Sequence, residues 1–499
     1  MSALPLPAAS TSIDDDTAYR AWLERDASYD GRLFAGVTST GIYCRPVCRV
    51  RMPRRSNLRF FANAASAQQA GFRPCLRCRP ELAPGLSLVD SPQVLAAHAA
   101  RMLEHAARSG LDLQLPDIAA KLGVTDRHLR RIFVAAHGVT PIDYWTNQRL
   151  LLAKQLLTDT TLPVTQIALQ CGFASQRRFN AAFAAHCRMS PSRLRLAGRT
   201  AAAGAQAATR LVLAYRPPYD IDSLMRFAAA RAIEGVETID GPLSMRRTLR
   251  IADARAPGGQ HAGWIALRFL PAAHRVELAL APSLEPALAR VLDVVRQALD
   301  LDADPSRIDP VLARLPCAPR EGLRLPGGFD GFETAMRVIL GQQVTVKGAR
   351  TLARRLVERF GAPLATPFDD LHRLFPDAAT LAAARPADIG TLGIVRQRVG
   401  AIQALARAVA DGRLALHRGA PLQATLDALR AMPGIGEWTV QVIAMRALAW
   451  PDAWPATDIG LHNALGSRDA KHVTALAEAW RPWRAYAVMR LWHHLENAT

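Results

Sequence analysis

The stretch MPGIGEWT (residues 432–439) lies between two apolar-periodic segments, with Leu426, Leu429 and Met432 before it and Val442 and Met445 after it. A Pro-Gly-x-Gly turn between helices closes tightly, and its backbone N–H groups can converge on one phosphate, aided by the N-terminus of the following helix. A helix-hairpin-helix is expected, with Gly434, Ile435 and Gly436 facing the phosphate. Twenty residues past Trp438, PATDIGLHNAL (455–465) sets Asp458 ahead of a new helix, and RPWRAYAVMRLWHHL (481–495) follows with aromatics. From Gly327 to Thr499 the apolar spacing is helical almost throughout.

Upstream the pattern changes. LVLAYR (211–216), WIALRFL (264–270) and RVELALA (275–281) alternate or run apolar like strands, whereas IDSLMRFAAARAI (221–233) and PALARVLDVVRQAL (286–299) read as helices. Residues 210–320 therefore form an α+β unit ahead of a helical one at 321–499. The small-residue run AGRTAAAGAQAAT (197–209) reads as a linker. Before it, LPDIAAKLGVTDRHLRRIF (115–133) is echoed by VTQIALQCGFASQRRFNAAF (164–183). Each copy gives a helix, a turn at Gly123 or Gly172, and a helix capped by Thr125 or Ser175, so residues 90–196 carry helix-turn-helix logic twice. Residues 1–12 lack periodicity and are expected to be a disordered tail.

The remaining segment, 13–83, is a cysteine unit. CRPVC (44–48) and CLRC (75–78) lie 26 residues apart, letting two knuckles close on one tetrahedral ion, for which zinc held by Cys44, Cys48, Cys75 and Cys78 fits best. Four buried free thiols are the plainer alternative. Such a zinc site carries a formal charge of about −2, and its thiolates stay ionised at neutral pH, so one of them can accept an alkyl group. Cys171 and Cys187 read as small apolar core residues. Clustered cysteines in a chain of 499 residues point to a reducing compartment, and no long apolar run or basic leader suggests a membrane or secretion. A cytoplasmic protein is expected.

The formal net charge is +19, and residues 31–80 hold ten Arg with no Asp or Glu, so a polyanion is the natural partner. A solvated Arg-rich face is the plainer alternative.

Three resemblances sharpen this reading. TGIYCRPVCRVR (40–51) and NLRFFANAASAQQAGFRPCLRC (57–78) resemble the N-terminal domain of the Ada alkylation-response family, over residues 18–82. The resemblance implies that Cys44 irreversibly takes a methyl group from a DNA methylphosphotriester, and that Thr40, Arg45, Arg51 and Arg55 lie near the DNA. Methylation would move the site from about −2 to −1 and weaken its repulsion of phosphates. Residues 90–196 are similar to the two-motif DNA-binding domain of the AraC regulators. Recognition helices then begin near Asp126 and Gln176, and Arg127, His128, Arg130, Arg131, Gln176, Arg177 and Arg178 could reach base edges or phosphates. Pairing with neighbouring carboxylates is the alternative for each.

LRLPGGFDGFETAMRVILGQQVTV (323–346), GIGEWT, PATDIG and RPWRAYAVMRLW together resemble the AlkA alkylbase DNA glycosylases, over residues 210–496. That resemblance implies a base flipped from the duplex into an aromatic pocket. Asp458 becomes the catalytic carboxylate, with Trp438 and Trp492 as pocket walls. An ordinary N-cap for Asp458 and core packing for the tryptophans are the alternatives. Trp438 stands where lyase-active relatives carry a Schiff-base lysine, implying a monofunctional hydrolase. Two positions depart from the family's best-known member: Val442 replaces a tyrosine and Gln343 replaces a leucine wedge, while Gln342 and Gln343 could instead cap or bridge helices. No cysteine beyond Cys187 except Cys317 is present, and its context does not match a PCHR-type acceptor, so direct O6-alkylguanine reversal is not expected.

The expected architecture is multidomain, mainly α with α+β parts: a small Zn(Cys)4 α/β domain, a double helix-turn-helix domain, an α+β subdomain and a helix-hairpin-helix glycosylase domain. The expected function is excision of alkylated bases of the 3-methyladenine and 7-methylguanine type, joined to methyl acceptance and transcription regulation. A lesion-binding transcription factor without catalysis is the alternative. Expected partners are alkylated and promoter double-stranded DNA, with RNA polymerase as a candidate, no membrane, and a monomeric state. Zinc is the expected cofactor, and the hairpin is a candidate site for a monovalent cation.

Overall fold

The computed structural model describes residues 14–26, 29, 33–48, 50–61, 64–78, 80, 92–110, 114–160, 162–199, 209–253 and 256–498. The expected tail and most of the expected linker lie outside these residues. The chain divides into two compact units, residues 1–107 with 111–149 and residues 108–110 with 150–499. No helix among the described residues is long and apolar enough to cross a membrane.

In the first unit, α1 (Asp15–Leu23) is started by Asp14, whose carboxylate accepts the Asp16 and Thr17 N–H groups. Four short strands, β1 (Phe34–Val37), β2 (Ile42–Cys44), β3 (Leu58–Phe61) and β4 (Arg73–Pro74), form a sheet in the order β3-β1-β2-β4, with α2 (Ala64–Gln69) between β3 and β4. The parallel pairing of β2 with β4 sets Tyr43 opposite Pro74. Cys44, the last residue of β2, and Cys75, the first residue after β4, are therefore brought side by side. Further along, α3 (Pro92–Ser109), α4 (Leu115–Lys121), α5 (Asp126–His137) and the start of α6 (Pro141–Asp159) enclose a core that includes Leu95, Leu103, Ile118, Leu129 and Phe133. Thr125 caps α5 through the His128 N–H, and Gly138, at φ 72°, ends it in the left-handed region.

The second unit begins with the rest of α6, then α7 (Val164–Gln170), α8 (Gln176–Cys187) and α9 (Pro191–Arg199). Next comes an antiparallel sheet in the order β5-β9-β8-β7-β6, made of β5 (Thr209–Ala214), β6 (Glu237–Asp240), β7 (Ser244–Ala252), β8 (Gln260–Leu270) and β9 (Arg275–Leu280). The helices α10 (Ile221–Arg231), α11 (Leu288–Ala298) and α12 (Pro305–Leu312) accompany it. Strands β5, β8 and β9 fall where alternation predicts them. Strands β6 and β7 do not announce themselves, because Arg246, Arg247 and Arg250 interrupt the apolar pattern. Arg247 is nonetheless buried, and donates to Glu237 at 3.2 Å and to Glu333 at 2.7 Å, while Arg337 reaches the same two carboxylates at 2.7 and 2.6 Å. A buried charge pair holds only when both members are satisfied, so this network fastens β6 and β7 to the first helix of the C-terminal domain.

That domain consists of α13 (Gly331–Leu340), α14 (Val346–Phe360), α15 (Ala378–Ala383), α16 (Pro386–Gly390), α17 (Arg396–Ala410), α18 (Leu422–Arg430), α19 (Glu437–Arg446), α20 (Ile459–Ala464), α21 (Ala470–Ala477) and α22 (Arg484–Ala498). One core joins Met336, Ile402, Leu429, Ile443, Leu461 and Leu491 from six of these helices. Val442 lies in that core, 5% exposed.

Candidate active site and metal centre

The hairpin joins α18 to α19. Gly434 has φ 76°, and a Cβ there would meet Ala401 Cβ and the Gln397 carbonyl at 3.2 Å, so both conformation and space call for glycine. Ile435, 5% exposed, anchors the turn in the core. Arg430 at the end of α18 pairs with Glu437 at the start of α19, donating from Nε at 2.8 Å and Nη2 at 3.1 Å, and so braces the turn from outside. Gln342, in the α13–α14 turn, donates from Nε2 to the Gly434 carbonyl at 3.0 Å and to Thr439 Oγ1 at 2.9 Å. Its part is a bridge. Gln343 beside it is exposed at φ 53°, a left-handed turn position flanked by the exposed Val344.

Asp458 precedes α20 and caps it, with Oδ1 accepting the Leu461 N–H at 3.0 Å. The same carboxylate receives two indoles: Trp438 Nε1 donates to Oδ2 at 2.7 Å and Trp492 Nε1 to Oδ1 at 2.8 Å. Capping and the aromatic site are thus one arrangement, in which three N–H donors compensate a carboxylate that is only 6% exposed. The indoles come from α19 and α22, so their edges fix the carboxylate while they remain half-buried. The loop carrying Asp458 is tied to α22 by Arg484, which donates from Nε and Nη2 to the Asp452 carboxylate at 2.7 and 2.8 Å. Farther along α22, Arg490 donates to the Leu312 and Ala318 carbonyls at 3.0 and 2.9 Å. Gly460 is a residue that motif reading passes over. A Cβ on it would lie 3.0 Å from both Asp458 Oδ1 and Trp492 Cδ1. Phe227 is another: it arrives from α10 of the α+β subdomain and shares with Leu224, Met489, Trp492 and His493 a small recess beside the tryptophan. Only chain folding brings it there.

In the first unit the four sulfurs of Cys44, Cys48, Cys75 and Cys78 all lie within 4.8 Å of one another, and each residue is at most 7% exposed. A tetrahedral zinc with bonds of about 2.3 Å needs sulfurs about 3.8 Å apart, so this donor set fits the ion. The knuckles are shaped by backbone bonds: Cys48 N–H to the Arg45 carbonyl at 3.0 Å and Cys75 N–H to the Tyr43 carbonyl at 3.1 Å. Crowding by itself divides the thiols, since hydrogen bonds from Cys44 and Cys78 lower the pKa of Cys48 and the same contact with Cys48 raises that of Cys44.

The residues expected near DNA are placed unequally. Thr40 and Arg51 are exposed. Arg55 is exposed too, but pairs with Asp16 and stacks over Tyr19 at 4.7 Å. Arg45 is turned inward instead: it is 1% exposed, its backbone N–H points to Cys78 Sγ at 3.4 Å, and its Nη1 donates to the Cys78 carbonyl at 3.3 Å. The cause is the knuckle itself, which directs this side chain across the cysteine cluster. On α5, Arg127 and Arg131 are exposed, Arg131 contacts His128 at 3.1 Å, and Arg130 pairs with Asp126 at 2.9 Å. On α8, Gln176, Arg177 and Arg178 are all exposed.

Four known domain families match the chain in succession: the metal binding domain of Ada over residues 17–81, a helix-turn-helix domain over 118–197, the AlkA N-terminal domain over 210–330, and the HhH-GPD superfamily of base excision DNA repair proteins over 336–482. The probable bifunctional transcriptional activator/DNA repair enzyme AlkA of Mycobacterium tuberculosis is 38% identical over 502 residues, covering 97% of this chain and 97% of that protein. DNA-3-methyladenine glycosylase 2 of Escherichia coli is 32% identical over 56% of this chain and 96% of its own length. The Escherichia coli Ada protein is 38% identical over 28% of this chain and 39% of its own. With that domain order and similarity along nearly its whole length, the chain belongs to the family of bifunctional transcriptional activator/DNA repair enzymes that unites an Ada-type metal domain, a helix-turn-helix region and an AlkA-type glycosylase.

Proposed function

We propose that this protein hydrolyses the N-glycosidic bond of alkylated purines, of the 3-methyladenine and 7-methylguanine type, and separately accepts methyl groups from DNA phosphotriesters on Cys44. The observation that carries the first part is the convergence of the Trp438, Trp492 and Leu461 N–H groups on the Asp458 carboxylate. A purine alkylated on a ring nitrogen is cationic and departs with the electron pair of the glycosidic bond as a neutral base. Positive charge is left on the deoxyribose at C1′, where the fixed anion of Asp458 stabilises it. Water then adds to C1′ and loses a proton, leaving an abasic site. The faces of Trp438 and Trp492 favour a cationic base through cation–π attraction of about 0.5 to 2 kcal/mol each. Trp438 offers no amine, so the reaction stops at hydrolysis. Gly434, Ile435 and Gly436 grip a backbone phosphate, and Gln343 enters the gap left by the flipped nucleotide.

At the other end, zinc ligation keeps the cysteine sulfurs deprotonated at neutral pH. Cys44 Sγ attacks the methyl carbon of a neutral phosphotriester; the S–C bond forms as the C–O bond breaks, and a phosphodiester anion departs. Thr40, Arg51 and Arg55 hold the DNA there, with Arg45 supporting the metal knuckle. The exposed residues of α5 and α8 read promoter DNA, and methylated Cys44 raises their hold by lowering local negative charge. In this reading the protein acts as a cytoplasmic monomer, engages RNA polymerase at promoters, and takes a monovalent cation at the hairpin, which exchange of potassium for a bulky organic cation at constant ionic strength would test.

Incubation with methylated duplex, chromatography of released bases and mass measurement of the protein test both halves together. Free 3-methyladenine and a methyl adduct on Cys44 are expected, and Cys44→Ala should remove only the adduct. Tight DNA binding without base release leaves a lesion-sensing regulator.

A further inference from the structure

The hydrophobic core of the second helix-turn-helix motif is continuous with that of the subdomain that follows it. Ile167, Cys171, Phe173, Phe179 and Phe183 from α7, α8 and their turn belong to one continuous cluster with Leu211, Leu278, Leu284 and Leu288 of the α+β subdomain. Polar contacts fix the register. Gln170, at the end of α7, donates from Nε2 to the Glu285 carbonyl at 2.8 Å and accepts the Ala289 N–H on Oε1 at 3.1 Å, so one side chain satisfies two backbone groups at the start of α11. Residues 108–110 clamp the same joint: Arg108 Nη1 meets Asp302 at 2.5 Å, Ser109 Oγ donates to Asp293 at 3.1 Å, and a Cβ on Gly110 would come within 2.6 Å of the Gln170 carbonyl. Cores of this kind are close-packed and transmit position rather than flexing.

The exposed start of α8 is also poorly balanced electrostatically. Its first turn carries Arg177 and Arg178 but no acidic residue, and among the described residues neither arginine has an ion-pair partner, whereas Arg130 on α5 is paired with Asp126. Cations at the positive end of a helix are disfavoured until an anion arrives. We infer that α7–α8 is a fixed DNA-gripping arm of the glycosylase, binding the phosphate backbone of the duplex that carries the lesion through Arg177 and Arg178, and so raising the effective concentration of the base site.

This rests on the excision activity proposed above. The test uses the full chain with methylated duplexes of about 10 and about 40 base pairs, the shorter spanning roughly one helical turn. The parent should show a lower KM on the longer duplex. Arg177→Ala with Arg178→Ala should raise that KM about tenfold and reduce the slope of log KM against log salt by about 2. Gln170→Ala with Ser109→Ala, leaving both arginines in place, should erase the same length advantage and increase amide exchange in α7. A parent with no length advantage, or an arginine variant that keeps it, overturns the arm. If the parent releases no base from either duplex, the excision reading itself fails and the inference falls with it.

Discussion

Gly460→Ala isolates the geometry of the active site from the stability of the fold. Gly460 lies in α20 outside the left-handed region, so alanine meets no backbone strain there. Its Cβ would stand 3.0 Å from Asp458 Oδ1, 3.0 Å from Trp492 Cδ1 and 3.2 Å from Trp492 Nε1. Carbon contacts become comfortable near 3.5 Å, so the carboxylate and the indole must each give way by roughly 0.5 Å. Neither has easy room: Asp458 is also held by Leu461 and Trp438, and α22 is fastened by Arg484 and Arg490. Replacing a helical glycine gains about 1 kcal/mol of propensity, which offsets an overlap strain of about 1 kcal/mol, so the melting temperature should hardly move. Activity is less forgiving. A misplacement of about 1 Å costs about 100-fold, and about 0.5 Å by the same proportion about tenfold. Single-turnover release of 3-methyladenine, measured beside calorimetric unfolding, reads both quantities. Unchanged Tm with full excision rate would refute the claim that the Asp458–Trp492 contact sets the chemistry.

Three further outcomes follow from particular contacts. Trp438→Phe keeps an aromatic face but removes the 2.7 Å donor to Asp458; a hydrogen bond to a charged group is worth about 1.5 to 3 kcal/mol, so kcat/KM for excision should fall about 10- to 100-fold. Chelation of zinc should increase amide exchange across residues 17–81 and abolish methyl uptake while base excision persists, because the two sites share no side chain; simultaneous loss of excision would contradict this. Asp302 is held down to about 2, burial opposing the shift and Arg296 and Arg108 outweighing it. A depressed carboxylate stabilises the fold fully above its unfolded value near 3.8 and loses that contribution, about 2 kcal/mol, as pH falls towards 2. Asp302→Asn should therefore flatten the acid limb of the stability curve between pH 4 and 2, and an unchanged limb would reject the assignment.

The hairpin was legible because its requirements are local. Gly434 needs a positive φ, Ile435 needs the core, and both requirements are written into four consecutive residues. Asp458 was legible as a cap and as a carboxylate, and the geometry joins the two roles through Leu461 and the tryptophans. Phe227 was not, since its place beside Trp492 depends on how α10 packs against α22, more than two hundred residues away. Strands β6 and β7 were hidden by the arginines of β7, of which Arg247 is buried only because Glu237 and the sequence-distant Glu333 accept its bonds. The resemblance puts Arg45 near the DNA together with Thr40, Arg51 and Arg55, and only the path of the knuckle shows that its side chain turns inward to the Cys78 carbonyl. The run 197–209 looks like a separator, yet the motif before it and the sheet after it share one core, because apolar composition does not reveal which face of α7 and α8 is completed by another subdomain.

The most direct measurement is the single-turnover rate of Asp458→Asn on a duplex containing 3-methyladenine. Removing one negative charge about 4 Å from a developing cation, at an effective dielectric of about 20, forfeits about 4 kcal/mol, or roughly a thousandfold in rate. A loss of that size with DNA affinity retained is the predicted result; base release at the parent rate would contradict it.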